Sequence, residues 1–120
     1  MSKLVKIKEN YIFRKAYKRG TSLVSPYVVL YVMKTRRQET RLGITAGKKI
    51  GKAVARNRAK RVITAAFSEC LPPIPIGYDF IIVARTRILK VKSTAVAASM
   101  KKLLLSAGIM DASDDEKTTD

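Results

Sequence analysis

Apolar and polar positions along this chain alternate between helical and strand periods, and each change of period marks an element. Over residues 10–19 Phe13 and Tyr17 stand four apart on one helical face, with Arg14, Lys15, Lys18 and Arg19 around the remainder. Asn10 is the candidate N-cap and Gly20 the stop. A short extended piece near 21–24 leads to Pro26, which cannot donate to a ladder and suits a strand edge or start. Tyr27 to Met33 is β-branched and aromatic throughout and reads as a strand. Its alternation sets Tyr27, Val29, Tyr31 and Met33 on one face and Val28, Leu30 and Val32 on the other. Polar residues 35–40 form a hairpin loop into a third strand over 41–46.

The period then returns to helical. From Lys52 to Cys70, Ala55, Ala59, Val62, Ile63, Ala66, Phe67 and Cys70 share one side at about 100° per residue and must face the core. Asn57, Arg61, Thr64 and Ser68 form the opposite stripe, flanked by Arg58 on one edge and Arg56 with Lys60 on the other. Pro72, Pro73 and Pro75 stop this helix, and Gly77 leads into a strand from Tyr78 to Ala84. The run Phe80-Ile81-Ile82-Val83 lacks alternation, so this strand is internal or buried on both faces. A last helix over 93–107, with Ser93 as candidate N-cap, puts Ala97, Met100, Leu104 and Ala107 on a core stripe before Gly108 ends it. The pattern predicts helix, three strands, helix, strand, helix, with no internal repeat.

Charge changes the picture. The 120 residues carry a net +16, and the distribution is uneven. Asp111, Asp114, Asp115, Glu116 and Asp120 sit in the last ten residues, so residues 1–110 hold 24 basic residues against four acids. The reading is one domain over 1–110 followed by an acidic, disordered tail over 111–120. A domain this cationic attracts polyanions at long range. Seven basic residues (Lys48, Lys49, Lys52, Arg56, Arg58, Lys60, Arg61) fall between 48 and 61 with no acid among them. Arg56-Asn57-Arg58 lies at the centre of an otherwise helix-forming run. Lys and Arg neutralise phosphates, Arg adds planar two-point contacts, and Asn reads a base edge or sugar. Nucleic acid is the partner this segment points to.

The catalytic inventory is thin. There is no histidine, and the one cysteine, Cys70, falls late in an apolar helical stripe as a small buried hydrophobe. Glu9, Glu39, Glu69 and Asp79, the four acids of the body, belong to different elements, which disfavours a two-metal nuclease site built by the protein. Asp79 reads as a cap or as the partner of a nearby Arg. Gly43, Gly47 and Gly51 bracket the basic segment, either for turn geometry or for close backbone approach to a phosphate. The N-terminal stretch lacks a signal peptide's apolar region and no run reaches membrane-spanning length, so the expectation is a soluble, cytoplasmic protein. This chain binds; it does not look able to cut.

Arg41-Leu42-Gly43-Ile44, followed by Lys48-Lys49-Ile50-Gly51-Lys52 and on through Arg56-Asn57-Arg58 to Arg61, closely resembles the signature of the bacterial ribonuclease P protein subunit. Phe13 to Gly20 looks like that family's first helix, Tyr27 to Tyr31 like its central strand, and Gly77 to Arg85 like its fourth strand. The resemblance spans residues 5–107. It implies an α/β two-layer sandwich of order αβββαβα, with a four-stranded mixed sheet. It also implies a left-handed crossover into the fourth strand, where periodicity alone would give a right-handed one. The function implied is that of the protein subunit of ribonuclease P, the ribonucleoprotein endonuclease that removes the 5′ leader of precursor tRNA. In that family the RNA carries the active site and binds most of the Mg²⁺; the protein alone is inactive and holds no metal. The implied partners are ribonuclease P RNA, in a 1:1 complex with a protein monomer, and precursor tRNA, with no membrane and no small-molecule substrate.

Two surfaces follow from the resemblance. Lys48, Lys49, Lys52, Arg56, Asn57, Arg58, Lys60 and Arg61 match the contact with the catalytic RNA, with one departure: Thr64 stands where many members carry another Arg. Phe13, Arg14, Tyr17 and Tyr31 match the cleft that takes the leader, where aromatic faces accept unpaired bases with little sequence preference. Aromatics on a helix and a strand are also ordinary core residues, so the pattern alone leaves both readings open. The alternative to the whole assignment is a ribosome-associated structural RNA-binding protein, which charge and size suit equally; a helix-in-groove DNA-binding protein is weaker. If the acidic tail screens the basic surface, deleting residues 111–120 raises non-specific RNA affinity at low salt. A titration of full-length and shortened protein against an unrelated RNA reads this directly, and equal affinities would sink it.

Overall fold

The computed structural model describes residues 4–70 and 77–109. Its elements are β1 (Leu4–Lys6), α1 (Asn10–Arg19), β2 (Thr21–Val24), β3 (Val28–Lys34), β4 (Thr40–Thr45), a short 3₁₀ turn (Lys48–Ile50), α2 (Ala53–Cys70), β5 (Tyr78–Ala84), a second 3₁₀ turn (Thr86–Lys90) and α3 (Ser93–Ser106). The strands form one mixed sheet in the order β1-β4-β5-β3-β2. β4 runs parallel to β5 and to β1, whereas β3 is antiparallel to β5 and to β2. The sheet and the α2–α3 pair are the two layers of an α/β sandwich, and α1 lies across part of the sheet's other face.

The sheet has five strands, not four. The added strand, β1, pairs Leu4, Val5 and Lys6 with Thr40, Arg41 and Leu42. Three residues are too few to establish an alternation, and the pairing partner is remote in sequence, so no local pattern announces it. β1 also explains why α1 has no side-chain cap. The Ile7 N–H donates to the Leu42 carbonyl at 2.8 Å, and the chain turns at Glu9 because Ile7 is anchored, not because a cap holds the helix. Glu9, not Asn10, occupies the cap position, and it makes no side-chain cap hydrogen bond. Likewise Lys92, not Ser93, precedes the first turn of α3. Neither cap residue makes a side-chain cap hydrogen bond, while Ile7 ahead of α1 and Ile88 ahead of α3 are buried.

β5 is central and buried on both faces. Phe80 and Ile82 point into the large core, together with Val28, Leu30 and Val32 of β3, Leu42 of β4, and Ala59, Ile63, Ala66, Phe67 and Cys70 of α2. Phe67 and Phe80 meet edge to face at 5.2 Å. Fully burying each large side chain stabilises by about 1.5–3 kcal/mol. The core stripe of α3 is Val96, Ala97, Met100 and Leu104; Ala107 is exposed and caps the helix, and Ile109 closes the stripe in its stead. Ile81, on the other face of β5, belongs to a smaller cluster with Ile7, Ile12 and Ala16. Burial pushes the Cys70 thiol up to about 11, so it stays protonated and serves as a packed hydrophobe. The proline run at 72–75 and the acidic tail from 111 lie outside the described residues.

One ion pair is recorded among the described residues, and it ties β4 to β5. Arg41 donates from Nε to Oδ1 of Asp79 at 2.8 Å and from Nη2 to Oδ2 at 2.6 Å. Asp79 is 1% exposed, and the Arg41 side chain 13%. The hydrogen bonds to Asp79 hold the guanidinium's pKa above its ordinary value against the effect of burial; Glu9 and Tyr11 add smaller contributions. Removing one partner of such a pair strands the other. Asp79→Ala is expected to destabilise the fold by about 3 kcal/mol, the low end for a buried pair because Arg41 retains some contact with solvent. Urea unfolding measures it, and a loss below about 1 kcal/mol would show that the pair is not structural.

Candidate nucleic-acid interface

The basic segment begins where β4 ends. Lys48 and Lys49 lie exposed on the first 3₁₀ turn, whose apolar residue, Ile50, is buried in the large core. Gly51 ends the turn at φ 135°, a conformation that side chains of other residues rarely adopt, and its N–H donates to the Lys48 carbonyl at 3.1 Å. α2 starts at Ala53, one residue after Lys52. Asn57, Arg58, Lys60 and Arg61 are exposed along its outer arc, and Arg56 is half-buried. The charges on this helix run the wrong way for its dipole. There is no acid in the first turn and no base in the last. Cations crowd the positive N-terminus, each at a cost of about 0.3–1 kcal/mol, so an anion set against this end relieves a standing repulsion.

Residues from other elements complete the basic surface. On the α3 side, Arg58 and Arg61 share a shallow hollow with Lys92 and Ser93. On the β1 side, Lys60 and Thr64 share a small pocket of about 170 Å³ with Lys6 and Lys8. The Thr64 hydroxyl donates to the Lys60 carbonyl at 2.8 Å and adds no charge. Lys6, Lys8 and Lys92 have no signal in the α2 segment, because only the packing of β1 and α3 brings them there.

The aromatic residues gather on one flank of α1. Phe13, Arg14 and Tyr17 line a groove of about 590 Å³ whose opposite wall includes Ile44 and Thr45 at the end of β4. Tyr31 of β3 does not line this groove. It supports Tyr17 from below, ring to ring at 5.0 Å and 69°. Tyr17 is 43% exposed; partial burial, and secondarily Tyr31, raise its phenol pKa. Phe13 can lie against β4 because residue 43 has no side chain: a Cβ there would sit 2.7 Å from both Phe13 Cζ and Ile81 Cδ1. The three glycines thus differ in purpose. Gly51 supplies a backbone angle, Gly43 supplies room for a ring, and a Cβ on Gly47 would meet nothing within 4 Å.

The comparisons with known proteins decide the family. The family model described as ribonuclease P matches residues 1–108. The chain belongs to that family. The ribonuclease P protein component of Thermoanaerobacter pseudethanolicus is 39% identical over 103 residues, covering 86% of this chain and 89% of the relative. That of Clostridium beijerinckii is 34% identical over 113 residues, covering 88% and 90%. Among solved structures, the Staphylococcus aureus RNase P protein superposes with a TM-score of 0.78 at 31% identity, covering 91% of this chain and all of that one. The Thermotoga maritima RNase P protein gives 0.73 at 29% identity, covering 82% and 94%. The ribonuclease P family member described here is therefore a protein component of that ribonucleoprotein, which implies association with its RNA. No helix among the described residues is long and apolar enough to cross a membrane.

The groove geometry generates a test of its own. Gly43→Ala forces Phe13 or Ile81 to move, and overpacking of this kind costs about 1–3 kcal/mol. In a double-mutant cycle, Phe13→Ala is expected to recover part of that loss; strictly additive effects in urea unfolding would show that the ring does not rest on Gly43.

Proposed function

We propose that the protein binds the catalytic RNA of ribonuclease P through α2 and its lead-in, and binds the 5′ leader of precursor tRNA in the aromatic groove beside α1. Lys48, Lys49, Lys52, Arg56, Asn57, Arg58, Lys60 and Arg61 contact the RNA subunit; Phe13, Arg14, Tyr17 and Tyr31 form or support the leader site. The observation that carries this reading is the common origin of the two surfaces. Thr45 walls the groove at the end of β4, and Lys48 opens the basic segment three residues later. The end of β4 therefore sets the basic segment beside the groove that Phe13 and Tyr17 of α1 line. A leader differs in sequence between tRNAs, and stacking on Phe13 and Tyr17 tolerates any base.

Cleavage of the phosphodiester belongs to the RNA. Among the described residues Glu9, Glu39, Glu69 and Asp79 lie in four separate stretches, and Asp79 is already committed to Arg41. Among the described residues no three His, Cys, Asp or Glu side chains group to hold an ion. The protein contributes affinity and placement: cations neutralise phosphates of the RNA, and the groove selects precursor over mature tRNA through the leader alone. Membership of the ribonuclease P family disfavours the alternative of a ribosome-associated structural protein.

Cleavage of precursor tRNA by bacterial ribonuclease P RNA at low Mg²⁺, with and without the protein, tests this function. The protein is expected to restore correct 5′ cleavage and to be inert without the RNA. Tyr17→Ala is expected to weaken precursor binding by about 1–3 kcal/mol, the worth of one stacked base, and to leave mature tRNA binding unchanged. Equal losses for both substrates would remove Tyr17 from the leader site.

A further inference from the structure

The other flank of α1 has a groove of its own. It is the larger of the two, about 730 Å³, and it opens at the end of the sheet where β3 finishes and β4 and β5 begin. Tyr11, Lys15 and Arg19, spaced four apart along α1, form one wall. Lys34 at the end of β3, with Arg36 and Arg37 of the hairpin loop, forms the other. Arg41 and Asp79 lie in the floor, where their charges cancel. Among the described residues, five further cations therefore line the groove, and its one carboxylate is already neutralised. At its rim Tyr11 is 62% exposed, more than Tyr17 in the aromatic groove.

We propose that this groove binds a segment of single-stranded RNA, with the backbone phosphates between the two cationic walls and a base on Tyr11. The combination is the one that single strands use, a cationic channel following the backbone with an aromatic face for stacking. An unpaired strand suits it better than a duplex, whose stacked and paired bases have no free face to lay on Tyr11. The site is separate from the aromatic groove because α1 itself, seated through Ile12 and Ala16, stands between them. A strand leaving one flank of α1 and reaching the other would wrap the helix. The bound strand has two sources of the same chemistry, nucleotides of a precursor leader beyond those held by Phe13 and Tyr17, or an unpaired stretch of the RNA subunit.

The test uses the assembled ribonucleoprotein and the full-length protein. Arg36→Ala with Arg37→Ala removes two exposed cations from the hairpin, and Lys15→Ala with Arg19→Ala removes two exposed cations from the facing wall. Lys101→Ala with Lys102→Ala, exposed on α3 on the opposite face of the sheet, controls for the loss of net charge. Affinity is measured against salt for the RNA subunit and for precursors with short and long leaders. Loss of two phosphate contacts lowers the log–log salt slope by about 1.4 for a single strand, and the α3 control leaves it unchanged. A loss confined to long-leader precursors supports the site and assigns it to the leader. A loss in assembly with the RNA subunit, whatever the leader length, supports it and assigns it to that RNA. Groove variants that match the α3 control in affinity and slope for every RNA would overturn the proposal. Tyr17→Ala, run alongside, reports on the aromatic groove independently, so failure of one site is not mistaken for failure of the other.

Discussion

β5 is the strand on which the rest of the molecule depends, because it is buried on both faces and each of its side chains meets a different demand. Phe80 and Ile82 seat α2 and α3, Ile81 seats α1, and Asp79 fixes Arg41 of the neighbouring parallel strand. A parallel strand that is covered on both sides needs a run of apolar residues without alternation, and Phe80-Ile81-Ile82 supplies it. Asp79 can be tolerated in that setting only because Arg41 gives both carboxylate oxygens a donor. The pairing of Arg41 with Asp79 also fixes the register of β4 against β5. Through β4 it fixes where the basic segment leaves the sheet.

The surface of α2 is built against its own stability. Seven cations between residues 48 and 61 repel one another and the positive end of the helix, and no acid within the segment offsets them. Apolar packing on the inner side, through Ala59, Ile63, Ala66, Phe67 and Cys70, holds the helix in place despite this. An anionic partner set against this surface recovers the repulsion, so on the proposed reading part of the affinity for RNA is relief of strain that the free protein already contains. The same charges make association steep in salt.

Elements with strong periodicity were legible from the residues. The strand over 28–34, the inner stripe of α2 and the doubly buried run of β5 all follow from local pattern, and Asp79 finds the Arg partner expected of it. What the pattern lacked was anything set by distant neighbours. β1 is too short to alternate, and its existence depends on the free edge of β4. Asn10 and Ser93 have good capping chemistry, yet the preceding residues are pinned by packing and the helices start without them. Among the candidate site residues, Phe13, Arg14 and Tyr17 line one groove, whereas Tyr31 packs against Tyr17 without lining it. Lys6, Lys8 and Lys92 join the basic face through tertiary packing alone. Tyr11 did have a signal, its spacing with Lys15 and Arg19, but that stripe is polar and reads as a solvated face.

The two hydrophobic clusters differ greatly in size. Among the described residues, twenty buried ones hold α2 and α3 to the sheet, while the cluster beneath α1 has four, of which Ile12 and Ala16 belong to the helix itself. Local opening free energy follows buried contact, so α1 is expected to open more readily than α2, α3 and β5. The helix that separates the two grooves is thus seated on a smaller apolar cluster than α2 and α3 are. A ligand lying along either flank supplies apolar and ionic contact that the small cluster lacks. On the proposed reading of the two grooves, a strand bound along α1 would in turn help to hold the helix in place.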